Sequence, residues 1–124
     1  MTYLCSKQRV PKPPGGLRFQ FEEQGEVLSG FVVHWEDEYY AFENRCVHMQ
    51  LELDWNAGLF FDVACEKLIC STHAARFDPE SGFCVSGPCK GGSLRRLPSE
   101  CRGNDLYIGV AGQLSLETGA FRLN

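Results

Sequence analysis

LRFQFEEQGEVLSGFVVHWEDEYYAF, residues 17–42, carries the signature of paired strands. Leu17, Phe19 and Phe21 alternate with Arg18, Gln20 and Glu22, and a period of two sends one set of side chains into a core and the other to water. Val27 to Trp35 and Tyr39 to Phe42 are rich in β-branched and aromatic residues, which suit a pleated, half-buried surface. Glu36-Asp37-Glu38 separates these two runs and supplies the polar turn of a hairpin. Further out, short strands are predicted at Phe60 to Ala64, Lys67 to Cys70, Gly82 to Val85, Ser93 to Leu97, Leu106 to Val110 and Gln113 to Leu116. Asp78-Pro79-Glu80-Ser81-Gly82 and Gly87-Pro88 provide turn chemistry between them, and no window sustains a 3.6-residue period over three turns. The chain is therefore expected to be all-β, with one short helical turn around Trp55 to Leu59. Residues 1–16, with Pro11, Pro13, Pro14, Gly15 and Gly16, are predicted to be a flexible N-terminal arm, and 17–124 a single domain without internal repeats.

Composition narrows the function classes. At 124 residues the chain is about one ordinary domain, and its 44% hydrophobic and 23% charged residues are those of a globular protein. No apolar run approaches the ~18 residues of a membrane span, and the N-terminus lacks the apolar stretch of a secretory signal. A cytoplasmic location without membrane attachment is expected. The net charge of −4 gives no electrostatic reason to bind nucleic acid, whereas it suits a basic protein surface. Seven cysteines cannot all pair within one chain, and cytosolic thiols are kept reduced, so metal ligation is the better reading of some of them.

Two pairs have ligand spacing: Cys46-Val47-His48 in ENRCVHM, and Cys70-Ser71-Thr72-His73 in LICSTHAARFD. Either alone reads as a small buried residue beside a surface imidazole. Together, C-x-H followed by C-x2-H offers two thiolates and two imidazoles from two loops, with FDPESGFCVSGP directly downstream. In these residues the chain resembles the Rieske family, whose second box is Cys-x-x-His, an aromatic-Asp turn and a Gly-Pro segment. The resemblance spans roughly residues 17–110. It implies a sandwich of small antiparallel sheets with a cluster-binding subdomain of two loops, and one [2Fe–2S] cluster per chain. Cys46 and Cys70 would bind one iron, and His48 and His73 the other. Two ferric ions, two sulfides, two thiolates and two neutral imidazoles sum to zero charge, so reduction is easier than at an all-thiolate centre near −400 mV. The same resemblance places Gly87-Pro88-Cys89 in a loop covering the cluster.

Some positions differ from the family pattern. Val47 stands where Pro or Thr is frequent, Gln50 where Gly is common, and Ala74 where Gly usually follows the second His. Twenty-one residues separate His48 from Cys70, with Asp54-Trp55-Asn56-Ala57-Gly58 as the expected insertion. High-potential members of the family carry a disulfide Cys, a Ser and a Tyr where this chain has Thr72, Ala75 and Phe77. A low-potential ferredoxin-like carrier, or a small redox subunit like that of assimilatory nitrite reductases, is the expected function. Its partners would be a reductase and a terminal oxygenase or reductase.

The rivals are a zinc module and a sensor. Two Cys and two His also satisfy zinc, but zinc fingers commonly pair Cys with Cys and His with His, whereas each loop here offers one of each. A redox sensor reading the same cluster is not separable by sequence from a carrier. A catalytic oxygenase iron needs two further His and a carboxylate, and His34 is the single histidine left over. His34 itself reads as a packed or edge residue, and Cys5, Cys65, Cys84, Cys89 and Cys101 as ordinary buried or surface thiols.

Overall fold

The computed structural model describes residues 1–46, 51–54, 58–70, 74–88 and 91–117. Their strands are β1 (Thr2–Ser6), β2 (Leu17–Glu23), β3 (Glu26–Trp35), β4 (Glu38–Glu43), β5 (Leu68–Cys70), β6 (Ala75–Phe77), β7 (Cys84–Ser86), β8 (Arg96–Leu97), β9 (Ser99–Arg102), β10 (Asp105–Ile108) and β11 (Leu114–Leu116). A single 3-10 turn, Lys7–Arg9, accompanies them. The all-β expectation holds, and every pairing between strands is antiparallel.

Residues 17–42 form the centre. β2, β3 and β4 are successive hairpin partners in a five-stranded sheet ordered β11-β2-β3-β4-β8. Both connections turn through left-handed pairs, Gln24-Gly25 at φ 51° and 83° and Glu36-Asp37 at φ 50° and 66°. That hand matches the twist of the flanking strands. Phe19, Phe21, Val32, Ala41 and Leu97 share a core cluster with Leu4, Cys5, Leu106 and Ile108, which belong to a three-stranded sheet ordered β1-β10-β9. The alternate residues Phe31, Val33, Tyr40 and Phe42 share a second cluster with Leu68, Cys70, Ala75, Phe77 and Cys84 of a small sheet ordered β5-β6-β7. The central sheet is thus buried on both faces. Phe31 stacks on Phe60 with ring centroids 4.1 Å apart, joining the central sheet to the segment leading into β5.

Two expectations are corrected. The first sixteen residues are built into the domain: β1 pairs with β10, Leu4, Cys5 and Val10 are buried, and Pro14 O accepts the amides of Phe60 and Phe61 at 2.9 and 3.3 Å. Proline removes a donor but keeps its acceptor, and here that acceptor satisfies a partner strand-like segment. Residues 60–64 make one isolated bridge, Phe61↔Leu68, instead of a strand. The Asp62 carboxylate draws the chain into a turn by accepting the amides of Glu66 and Lys67 at 3.0 and 3.3 Å. β6 and β9 were not predicted, being too short or too polar to display a period. The helical turn expected around 55–59 falls mainly on 55–57, outside the described residues; Gly58 lies in a turn and Leu59 bridges Gly15.

Candidate metal centre

β4 leaves the central sheet at Glu43, and the chain then turns away. Asn44 N donates to Ser29 O at 2.8 Å, Arg45 N to Glu43 O at 2.9 Å, and Cys46 N to Leu51 O at 2.6 Å. The last bond ties together the two flanks of residues 47–50. Cys46 is fully buried. Cys70 ends β5, is also fully buried, and stands opposite Ala75 in the β5–β6 register. Ala74 N donates to Cys70 O at 2.8 Å, tying together the two flanks of residues 71–73. Cys46, from the loop after β4, and Cys70, from the end of β5, therefore share one apolar cluster that also includes Leu53, Phe77 and Cys84.

His48, His73 and Cys89 lie outside the described residues. Among the described residues no three His, Cys, Asp or Glu side chains converge as a metal site. The described part of the donor set fits an iron–sulfur centre: two thiols out of water, Cys46 in the loop after β4 and Cys70 at the end of β5. Softness of the ligand favours iron or zinc over hard cations.

The turn after the second ligand pair is retained without glycine. Ala74 adopts φ 57°, the left-handed conformation in which an L-residue loses about 1–2 kcal/mol. Ala74→Gly is accordingly expected to stabilise the protein by up to ~1 kcal/mol, after the larger unfolded-state entropy of glycine is subtracted. Thermal denaturation of the two forms measures this, and a lower midpoint for the variant would contradict it. Gly87, in the Gly-Pro segment, has φ 96° and lies so close to β6 that a Cβ would fall 2.8 Å from Ala75 Cα. The segment expected to cover the site thus rests directly on the strand that follows the second ligand pair. Between them, Asp78 organises the hairpin: its Oδ2 accepts the Ser81 amide at 3.1 Å and the Ser81 hydroxyl at 2.8 Å, and its carbonyl accepts Gly82 N at 2.7 Å.

Sequence reading missed the polar residues behind the first pair. Asp54, read as part of an insertion, has a fully buried side chain. Its Oδ1 accepts from Arg18 Nη1 at 2.7 Å and Asn44 Nδ2 at 3.0 Å, and its Oδ2 from Arg18 Nη1 at 2.9 Å and Gly58 N at 2.8 Å. Asn44 Oδ1 accepts Leu53 N at 2.9 Å. Arg18 also donates to Glu117 at 2.8 Å and Glu52 at 3.2 Å. Burial works against the Arg18 charge, but its hydrogen bonds to Glu117, Asp54 and Glu52 outweigh that and hold its pKa above the ordinary guanidinium value. Asp followed four residues later by Gly was the one local signal. His34 instead stacks on Tyr39, centroids 4.4 Å apart, near the start of β4 and remote from Cys46, and the exposed acidic turn of Glu36 and Asp37 lies at that same end.

This arrangement of sandwich, paired cysteine loops and Gly-Pro segment defines a Rieske-type domain. A model of the Rieske [2Fe-2S] domain matches residues 2–99, and the chain belongs to that family. Among solved structures it is similar to the ferredoxin of carbazole 1,9a-dioxygenase from Nocardioides aromaticivorans IC177, with 23% identity, a TM-score of 0.66, and coverage of 86% of this chain and 94% of that one. It is also similar to the Sphingomonas yanoikuyae B1 ferredoxin, with 20% identity, a TM-score of 0.64, and the same coverages of 86% and 94%. The terminal oxygenase of carbazole 1,9a-dioxygenase from the same Nocardioides strain matches at 13% identity and a TM-score of 0.71, over 90% of this chain and 30% of the oxygenase. At these identities the likenesses establish the fold. No curated protein matches the chain. Among the described residues, no helix is long and apolar enough to cross a membrane.

Proposed function

We propose that this chain holds one [2Fe–2S] cluster on Cys46, His48, Cys70 and His73 and relays electrons between a reductase and a terminal oxygenase or reductase. The observation that carries the reading is the burial of Cys46 and Cys70 in one apolar cluster at two loops of a Rieske-family domain. The cluster would supply a one-electron redox centre. The chain's own residues would enclose it: Leu53 and Phe77 are buried in the same cluster as the two cysteines, and Gly87 lies against Ala75. His34, the histidine not assigned to the cluster, is stacked on Tyr39, which supports a carrier rather than an oxygenase subunit. A terminal oxygenase as acceptor is supported by the solved complex of oxygenase and ferredoxin in carbazole 1,9a-dioxygenase, whose ferredoxin-containing structure matches at a TM-score of 0.65.

Purified protein reconstituted with iron and sulfide tests the reading. Iron and acid-labile sulfide in equal amounts, two of each per chain, with the visible and electron-paramagnetic spectra of a His-ligated centre, are expected. Stoichiometric zinc without colour would instead establish the structural metal module.

The side chains at 75 and 77 bear on the potential. Ala75 and Phe77 are fully buried and bring no hydroxyl to the site, so no donor at these positions stabilises the extra electron on the reduced centre. A midpoint near the low end of the Rieske range, about −150 mV, is expected, and Ala75→Ser should move it upward in voltammetry. A wild-type midpoint above zero at pH 7 would refute the argument.

A further inference from the structure

The residues behind Cys46 form a chain of contacts that begins in the sheet and ends on both flanks of the segment carrying His48. Asn44 is anchored to β3 through its amide and Ser29 O, and its side chain reaches Leu53 N and Asp54 Oδ1. Asp54 is anchored to β2 through Arg18, whose side chain is only 13% exposed. Gly58 N and the Cys46–Leu51 bond complete the set. Four hydrogen bonds to one buried carboxylate are far more than a passive surface loop requires. Hydrogen bonds to a charged group are the strong kind, and leaving such a group short of a partner is strongly unfavourable.

We propose that Arg18, Asp54 and Asn44 are positioning residues for the first ligand loop, clamping both flanks of residues 47–50 to the central sheet so that the site is preorganised before the cluster arrives. This rests on the assignment of Cys46 as a ligand. None of the three touches the metal in this account. They act by removing the conformational freedom that the loop would otherwise lose on binding, so the cluster dissociates more slowly.

Asp54→Asn is the informative change because it keeps the shape. An amide has one acceptor oxygen, so its NH2 group must face either Gly58 N or the Asn44 amide, donor against donor. The full-length chain with its reconstituted cluster is followed by visible absorbance in an iron chelator, and the cluster-free chain by amide hydrogen exchange. D54N should bleach about tenfold faster, and its Cys46, Leu53 and Gly58 amides should exchange about tenfold faster, the effect of losing one charge-assisted bond. Amides of the β2–β3 pair should remain near wild-type protection. Arg18→Lys keeps the charge but loses the fork of contacts to Glu117, Glu52 and Asp54, and should fall between the two; it also carries the test if D54N does not yield folded protein. Unchanged bleaching, or sheet amides that accelerate in step with the loop amides, would overturn the proposal. Cys46→Ala separates the two ideas: if it retains iron, the ligand assignment fails, whereas a colourless Cys46→Ala beside a D54N of normal lifetime defeats the clamp alone.

Discussion

Cys46→Ala and Cys70→Ala are each expected to abolish cluster incorporation, and His48→Ala and His73→Ala to do the same. In the assignment proposed, each iron has two protein ligands, so one substitution removes half of an iron's protein coordination. Iron and acid-labile sulfide should fall together to background. The fold should outlast the change, because Cys46 lies in the loop after β4 and Cys70 is the last residue of β5, and the core retains Phe31, Phe42, Phe60 and Phe77. Two controls sharpen the result. Cys84 is buried in the same cluster, yet its thiol donates to Ser86 O at 3.3 Å, and Cys84→Ala should keep the colour. His34→Ala should leave the visible spectrum unchanged. Near-stoichiometric iron in two or more of the four ligand variants would sink the assignment.

Gly87→Ala is expected to be the most damaging single-methyl change in the covering segment. At φ 96° an L-residue is strained, and the new Cβ would lie 2.8 Å from Ala75 Cα and 3.4 Å from Ala74 O. Those atoms belong to the backbone beside the second ligand pair, and they cannot swing aside as a side chain would. Strain of about 1–2 kcal/mol and a backbone displacement of about 1–3 kcal/mol together suggest a loss near 3 kcal/mol in urea unfolding. Gly91 provides the comparison: its φ is 97°, but a Cβ there meets nothing within 4 Å. Gly91→Ala should therefore show the strain alone, about 1–2 kcal/mol. Equal losses at 87 and 91 would mean that the contact with β6 contributes nothing.

The sequence by itself determined the fold class and the candidate ligands. Alternation in Leu17, Phe19 and Phe21, and the β-branched and aromatic run through Val32 and Val33, are properties of adjacent residues, and a strand's two faces are written at a spacing of two. The ligand spacings and the Asp78 turn are equally local, because chelation and hairpin geometry both act over a few residues. What the tertiary structure alone decided was pairing at a distance. Thr2–Ser6 became a strand because Asp105–Ile108 lies beside it, about a hundred residues along the chain, and the prolines that marked 11–14 as loose gave no hint that Pro14 O would serve Phe60 and Phe61. Phe60 to Ala64 had strand composition but lost the ladder to the amide acceptor of Asp62. Asp54 looked like an insertion because its partners, Arg18 and Asn44, are brought to it only when β2, β3 and the loop after β4 have closed around it. Local preference sets which elements a chain can form; a buried charge or an edge strand is stabilised only by a partner, and the identity of that partner exists only in the folded chain.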